Sequence, residues 1–231
     1  MNSGVIGAEH EFHDREFALR WTERFVPTTE RMRLFNIILC ELRGRLPGGG
    51  RVLELGIGPG YLAKYLLESM PGIEYHGIDF SRPMLEIASG RLEHLSSRIS
   101  YTLADLVTDA WEDGFTSCFD AIVSTWALHD LGSQKHVESV YGKSFRALSN
   151  GGVLLNGDFI KPEGTTHQFE AGRFHTGKHL ALLKAAGFTS VECLAVLETE
   201  IDSPTPAQNY ACIKAVKTVQ RVATPSVGRR R

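Results

Sequence analysis

Apolar positions along the chain follow two kinds of pattern, and the change comes near residue 47. Before it they recur at helical spacing. Phe17, Trp21 and Phe25 stand four apart on one face, and Met32, Phe35, Ile38, Leu39 and Leu42 form a second stripe. Pro27 separates the two stripes, and Pro47 with Gly48, Gly49 and Gly50 ends the segment. The aromatic stripe reads first as packing against a core and second as contact with a substrate. From Arg51 onward, short apolar runs alternate with amphipathic stretches. Residues 52–55, 73–79, 99–103, 121–124 and 152–159 read as strands. Helices are predicted through Leu62, Leu66 and Leu67, over 83–95 with Ser81 as cap, and over 134–148. Another runs through Leu180, Leu183 and Ala186 and stops at Gly187, a natural C′ glycine. Two last strands, about 190–198 and 209–216, are joined by a Pro-containing turn at 203–206, with no helix between them.

This alternation predicts an α/β fold: a doubly wound seven-stranded sheet, mostly parallel, with helices on both faces. The final pair should form an antiparallel hairpin at one edge. Three regions follow: an N-terminal helical cap over 1–46, the α/β domain over 47–217, and a tail over 218–231. The tail ends Arg229-Arg230-Arg231 and lacks apolar periodicity, so it reads as solvated disorder ahead of a phosphate or RNA hook.

Composition narrows the class. The 231 residues carry a formal net charge of -2, which builds in no general attraction to nucleic acid or anionic membranes. Cys40, Cys118, Cys193 and Cys212 form no CxxC pair and read as reduced thiols. Glu9, His10, Glu11, His13 and Asp14 stand where a signal peptide would need an apolar run. No stretch approaches the roughly 20 apolar residues of a membrane span. The expectation is a cytoplasmic protein, monomer or homodimer, with no membrane or nucleic-acid partner.

In a doubly wound sheet, ligands bind over the carboxyl ends of the strands, so the turn after the first strand is the first place to look. It reads Glu54-Leu55-Gly56-Ile57-Gly58-Pro59-Gly60. Alternating glycines let the backbone turn tightly beside a ligand, and the next helix points its N–H groups at it. No Gly-Lys-Ser/Thr occurs, which excludes a Walker loop. The dinucleotide pattern fits only from Gly58, two residues late, leaving Glu54 and Gly56 unexplained. Asp79 ends the second strand, where a carboxylate can accept both hydroxyls of a ribose; that serves a dinucleotide equally well. Asp105 ends the third, either as a turn cap or as a ligand contact.

The run Glu54-x-Gly56-x-Gly58-x-Gly60 resembles the first motif of class I S-adenosylmethionine-dependent methyltransferases. The exit Ser124-Thr125-Trp126-Ala127-Leu128-His129-Asp130 resembles their fourth motif in its small-molecule form. Arg146 to Leu155 resembles their helix–turn–strand segment, with Asn150 where proline is common. The resemblance covers about residues 50–217. It implies that S-adenosylmethionine is held by Glu54, Gly56, Gly58, Gly60, Asp79, Phe80, Met84, Asp105, Leu106, Ser124 and Thr125. Asp105 would then recognise the adenine amine, with Leu106 beside the ring. Enzymes of this kind that methylate base amines carry an Asp/Asn-Pro-Pro-aromatic tetrad, and cytosine-C5 enzymes a Pro-Cys pair; neither occurs here. The implied acceptor is a small-molecule O, N or C nucleophile. An NAD-dependent oxidoreductase and a non-catalytic S-adenosylmethionine-binding module are the alternatives.

Methyl transfer needs alignment within about 3–3.5 Å and exclusion of water, plus a base where the nucleophile keeps its proton. His129 is the first candidate base, against a structural histidine, with Asp130 and Asp158 behind it. Phe169, Arg173, Phe174 and His175, in the irregular segment 165–177, are candidate substrate contacts. His175 and His179 stand four apart, a metal-ligand spacing, and His136 and His167 add two more imidazoles. No carboxylate or cysteine accompanies the pair at matching spacing, so no metal is expected.

Overall fold

The computed structural model describes residues 10–218. Residues 1–9, including Glu9, and the tail beyond 218 with its three arginines lie outside the described residues. In chain order the elements are α1 Arg15–Arg24, α2 Thr29–Arg45, β1 Gly50–Leu55, α3 Tyr61–Ser69, β2 Ile73–Asp79, α4 Arg82–Arg91 and β3 Ile99–Leu103. They continue with β4 Phe119–Thr125, α5 Gln134–Ala147, β5 Leu148–Phe159, α6 Thr176–Ala185, β6 Ser190–Leu197 and β7 Tyr210–Val216.

The described residues hold a seven-stranded sheet in the order β3-β2-β1-β4-β5-β7-β6. β7 runs antiparallel to both neighbours, and the pairs from β3 to β5 are parallel. Side chains alternate across a strand, so each central strand feeds two cores. Leu53, Leu55, Ile122 and Leu154 pack with Val137, Val140 and Tyr141 of α5 and Leu182 and Leu183 of α6. Val52, Ala121, Val123, Val153 and Leu155 pack on the opposite face with α2 and α3. Strand order reverses between β1 and β4, which leaves a crevice above their carboxyl ends.

The N-terminal helices differ in what they bury. On α2, Leu34, Phe35, Ile38, Leu39 and Leu42 are buried, and Leu34 sits against β5 where Gly157 carries no side chain. On α1 the buried residues are Ala18 and Thr22. Phe17, Trp21 and Phe25 are only partly buried, so the core-packing expectation for this stripe gives way. Ser81, the N-cap of α4, donates its hydroxyl to the Phe12 carbonyl, and the Tyr61 hydroxyl donates to the Thr22 carbonyl, 2.9 Å. These bonds dock the first segment over the crevice.

Two element boundaries shift by about a helical turn's length of chain, four residues each. The helix expected over 83–95 ends at Arg91, after Gly90 weakens its last turn, and 93–98 tightens to a 3₁₀ helix. There Arg98 donates to the carbonyls of Leu67 and Met70. The fifth strand begins at Leu148 rather than 152 because Leu148 pairs with Phe119 before a register shift.

Leu34→Ala is expected to lower unfolding free energy by about 2–5 kcal/mol through the cavity left between α2 and β5. Denaturant midpoints measure this, and a loss below about 0.5 kcal/mol would mean that α2 does not dock there under solution conditions.

Candidate active site

After Leu55 the chain must reverse before α3 begins. Gly56 and Gly58 do this at φ 69° and 51°, in the left-handed region that favours glycine. The N–H groups of Gly56 and Ile57 both donate to the Ile78 carbonyl at 2.9 Å, and that of Gly58 donates to Asp79 Oδ2 at 2.8 Å. The tip of β2 thereby holds the turn after β1. A Cβ on Gly56 would stand 2.5 Å from that of Ala127, while one on Gly58 would enter open space at the cavity wall.

The turn borders a cavity of about 370 Å³, within the range of small-molecule sites. Its first half is lined by Glu54, Gly56, Gly58, Asp79, Phe80 and Met84, and faced by Asp105 and Leu106. Burial pushes the Asp79 carboxyl up to about 6, against the pull of the N–H groups of Ser81, Gly58 and Phe80 and the charge of His13. Burial likewise holds Glu54 well above the carboxylate range, although the Tyr75 hydroxyl donates to it at 2.9 Å. Asp105 Oδ1 accepts from the N–H groups of Val107 and Thr108, so the side chain caps the following turn as well as lining the cavity. That loop is gripped from behind. The buried Lys143 ammonium donates to the carbonyls of Leu106, Val107 and Asp109.

The second half is aromatic and carries two cations. Trp21 and Phe25 stack at 4.3 Å, and Phe35, Trp126 and Phe159 continue the wall. The Arg31 guanidinium lies 5.0 Å from the Phe25 ring centre and 5.1 Å from that of Trp126; Arg173 lies 4.1 Å from that of Phe159. Trp126 itself adopts φ 49°, an uncommon backbone for a bulky residue and one that clusters at functional sites.

His129 lies on the 3₁₀ turn Leu128–Leu131, past the end of β4. Its Nδ1 is 2.8 Å from Asp158 Oδ1, its backbone N–H donates to Asp158 Oδ2 at 2.9 Å, and its Nε2 is 3.2 Å from Asp130 Oδ1. Burial alone would lower the His129 pKa, but the charge and hydrogen bond of Asp158, with Asp130 added, raise it above 6.5. Burial would raise Asp158, yet His129 and the Phe159 N–H bring it below the usual carboxylate value. Asp130 is raised, chiefly by burial. The carboxylate of Asp158 thus orients the ring and sets Nε2 beside Asp130 at the cavity wall.

Of the residues singled out in the sequence, Glu54, Gly56, Gly58, Asp79, Phe80, Met84, Asp105, Leu106, Thr125, His129 and Asp130 meet at this cavity. Three others stand behind its wall. Ser124 is buried with its hydroxyl on the Leu55 carbonyl, Gly60 faces Ala88 and Leu92 of the neighbouring helix region, and Asp158 backs His129. Asp158 is therefore placed to position His129 rather than to meet an acceptor. Of the 165–177 contacts, Arg173 reaches the cavity. Phe174 turns away and stacks on His179 at 4.0 Å, Phe169 lies 5.7 Å from the Arg173 guanidinium, and His175 faces Glu163. His179 is a core histidine: its Nδ1 is 2.8 Å from the Tyr141 hydroxyl, and burial pushes it down to about 4. Among the described residues no group of three or more His, Cys, Asp or Glu side chains could hold a metal ion.

Sequence reading missed Arg31, Phe159, Lys143 and Gly172. A Cβ on Gly172 would overlap the His129 carbonyl, so glycine there seats the segment bearing Arg173 on the His129 turn. None of the four belongs to a spaced motif. Only Phe159, at a strand's carboxyl end, carried a positional signal.

Residues 53–154 match the family described as a methyltransferase domain. The chain is 30% identical to phosphoethanolamine N-methyltransferase 2 of Caenorhabditis elegans over 121 residues, 52% of this chain and 26% of that one. It is 35% identical to a methyltransferase of Anoxybacillus flavithermus over 117 residues, half of each chain. Among the first curated relatives it spans half their length or less. In structure it resembles Haemonchus contortus phosphoethanolamine N-methyltransferase 2, crystallised with phosphomonomethylethanolamine and S-adenosylhomocysteine. There the TM-score is 0.71 at 18% identity, covering 91% of this chain and 60% of the other.

Asp79 gives a pH signature. Its folded pKa is raised from 3.8 to about 6, so the protonated acid favours the folded state, and this contribution is lost as pH rises through about 6. If Asp79 accepts a ribose diol as the anion, affinity for S-adenosylhomocysteine should fall as pH drops through about 6, approaching tenfold per pH unit below it. Titration calorimetry from pH 5 to 8 measures this. A flat profile in the natural chain, or an equally steep one in Asp79→Asn, would exclude Asp79 as the group responsible.

Proposed function

We propose that this chain, whose residues 53–154 match a methyltransferase domain family, is an S-adenosylmethionine-dependent enzyme of the class I kind that transfers a methyl group to a nucleophilic O, N or C atom of a small molecule. The observation that carries this reading is the division of one cavity. Its glycine-turn half offers the contacts a nucleoside needs, and its aromatic half leads to His129.

The residues present suit S-adenosylmethionine. Asp79 would take the ribose hydroxyls, Phe80, Met84 and Leu106 would flank the adenine, and Asp105 keeps a second carboxylate oxygen for its amine. Gly58 leaves space for the ligand where any Cβ would project into the cavity. Glu54, whose charged form burial disfavours, would be favoured as the anion beside a bound cation. When bound, the cofactor's sulfonium supplies a methyl group to an in-line nucleophile and departs as a neutral thioether.

The chain's own part is positioning, water exclusion and proton acceptance. Phe12, Trp21 and Phe25 cover the cavity from the N-terminal side, and we assign residues 1–46 as a cap on a catalytic domain over 47–217. With Nδ1–H donating to Asp158, His129 Nε2 carries the lone pair and can take the proton of an acceptor hydroxyl or amine. Asp130 then stabilises the imidazolium. A net charge of -2 and an aromatic-lined cavity favour a small acceptor over a nucleic acid. No helix among the described residues is long and apolar enough to cross a membrane. Four free cysteines accord with a cytoplasmic site of action, as monomer or homodimer.

Calorimetric titration with S-adenosylmethionine and S-adenosylhomocysteine tests the reading, and absence of binding to both at millimolar ligand would overturn it. A base must be neutral, so turnover should rise with pH through the raised His129 pKa, above 6.5. Asp130→Asn should move this limb to lower pH. His129→Ala should lower kcat by about 10²–10⁴-fold with cofactor affinity nearly unchanged. Undiminished turnover in that variant would remove His129 from the proton path.

A further inference from the structure

The acceptor half of the cavity holds hydrogen-bond donors that the protein leaves unused. Arg173 has a side chain only 4% exposed. Its Nη2 donates to the Pro206 carbonyl at 2.7 Å and its Nε faces Glu170, but its Nη1 is buried without a hydrogen-bond partner. The Trp126 indole N–H is also buried and unpartnered among the described residues. Arg31 makes no close ion pair or side-chain hydrogen bond among the described residues; burial lowers its pKa, against the weaker pull of Tyr210 and the Glu198 charge. Its guanidinium rests between the rings of Phe25 and Trp126.

These donors share one place. Arg31 lies on Trp126, Arg173 lies on Phe159, and the two ring centres are 6.5 Å apart. Phe159 in turn meets the His129 ring edge-on at 4.9 Å. An unmet buried donor costs about 1–3 kcal/mol, and more when charged, so the Arg173 and Trp126 donors, with the half-buried Arg31 cation near them, call for an acceptor from outside the chain. Planar guanidinium groups match a carboxylate or a phosphate, and the aromatic walls suit a flat or unsaturated body.

Resting on the methyl-transfer reading above, we infer that the methyl acceptor carries an anionic oxygen group, carboxylate or phosphate, which docks between Arg31 and Arg173 beside the Trp126 indole. The anion anchors the acceptor on the Trp126–Phe159 side and leaves its nucleophilic atom between His129 and the glycine turn. Arg31 and Arg173 are then specificity-determining residues, and neither takes part in proton transfer.

The experiment titrates benzoate, phenyl phosphate and neutral benzamide into the full chain saturated with S-adenosylhomocysteine. At least one anion should bind about tenfold or more tightly than benzamide, as charge-assisted bonds to a desolvated guanidinium require. The better of the two anions identifies the group. Arg31→Gln should weaken that anion several-fold, and Arg31→Gln with Arg173→Gln should erase the difference from benzamide. Because Arg173 also braces the Pro206 loop, Arg173→Lys, which keeps a charge but loses the planar fork, serves as a second variant with intermediate affinity. Equal binding of all three ligands, no binding of any, or an anion preference that survives the double variant would overturn the inference. The S-adenosylhomocysteine titration is read separately. Cofactor binding without anion preference removes the subsite alone, while anion binding without cofactor binding removes methyl transfer.

Discussion

The bond from the Gly58 N–H to Asp79 Oδ2 couples the first two strands at the point on which the cavity depends. Three of the five residues of the turn after β1 are glycines, with Ile57 and Pro59 between them, so most of the turn has no side chain to stiffen it. Rigidity must come from elsewhere, and β2 supplies it through the Ile78 carbonyl and the Asp79 carboxylate. Asp79 meanwhile stays buried with its charge disfavoured, although three backbone N–H groups offset part of the cost. A carboxylate held in that state is well placed to reward a ligand that brings hydroxyl donors.

A similar economy governs the remaining polar groups. Asp158 is buried, and it spends both oxygens on His129, fixing ring and backbone together. Lys143 is buried, and it spends its ammonium on three carbonyls of the loop that carries Asp105 and Leu106. Neither group faces the cavity, yet each orients groups that do. Where the cavity wall turns from the glycine turn to aromatic rings, donors of Arg173 and Trp126 are buried without a partner, and the half-buried Arg31 guanidinium rests on the Phe25 and Trp126 rings. The two halves therefore differ in kind: one is internally braced, and the other keeps buried donors without partners among the described residues.

Closure comes from the N-terminal segment. Phe12, Trp21 and Phe25 face the cavity because Ser81, Tyr61 and the surface pair Arg15–Glu86 hold that segment over α3 and α4. Much of α1 is exposed on its other face, and its buried residues are small or polar, so its attachment rests on few contacts. Low local burial of this kind marks elements that open more readily than a core helix. The α2 helix, with five buried apolar residues, is the fixed wall against which such movement would occur.

Much of the architecture was legible in the sequence, because strand and helix periods, glycine turns and caps are local properties. The alternation of runs after Arg51 gave the mostly parallel sheet and its antiparallel end, and the spacing of Glu54, Gly56, Gly58 and Gly60 marked the ligand turn. Asp79, Asp105 and His129 were visible because they follow strands at positions where chemistry gathers. The sequence left open which face of the aromatic stripe mattered, since a period of four places Phe17, Trp21 and Phe25 on one side without saying what that side meets. It was equally silent on Lys143, Gly172 and the convergence of Arg31 with Arg173, which stand more than 140 residues apart. Only the tertiary structure decides such matters, because burial, a missing Cβ beside a carbonyl and an unpaired donor are relations between distant segments. A linear pattern fixes the elements and their ligand turn; the packing of α1, α2 and the 165–177 segment over that turn decides what the cavity can hold.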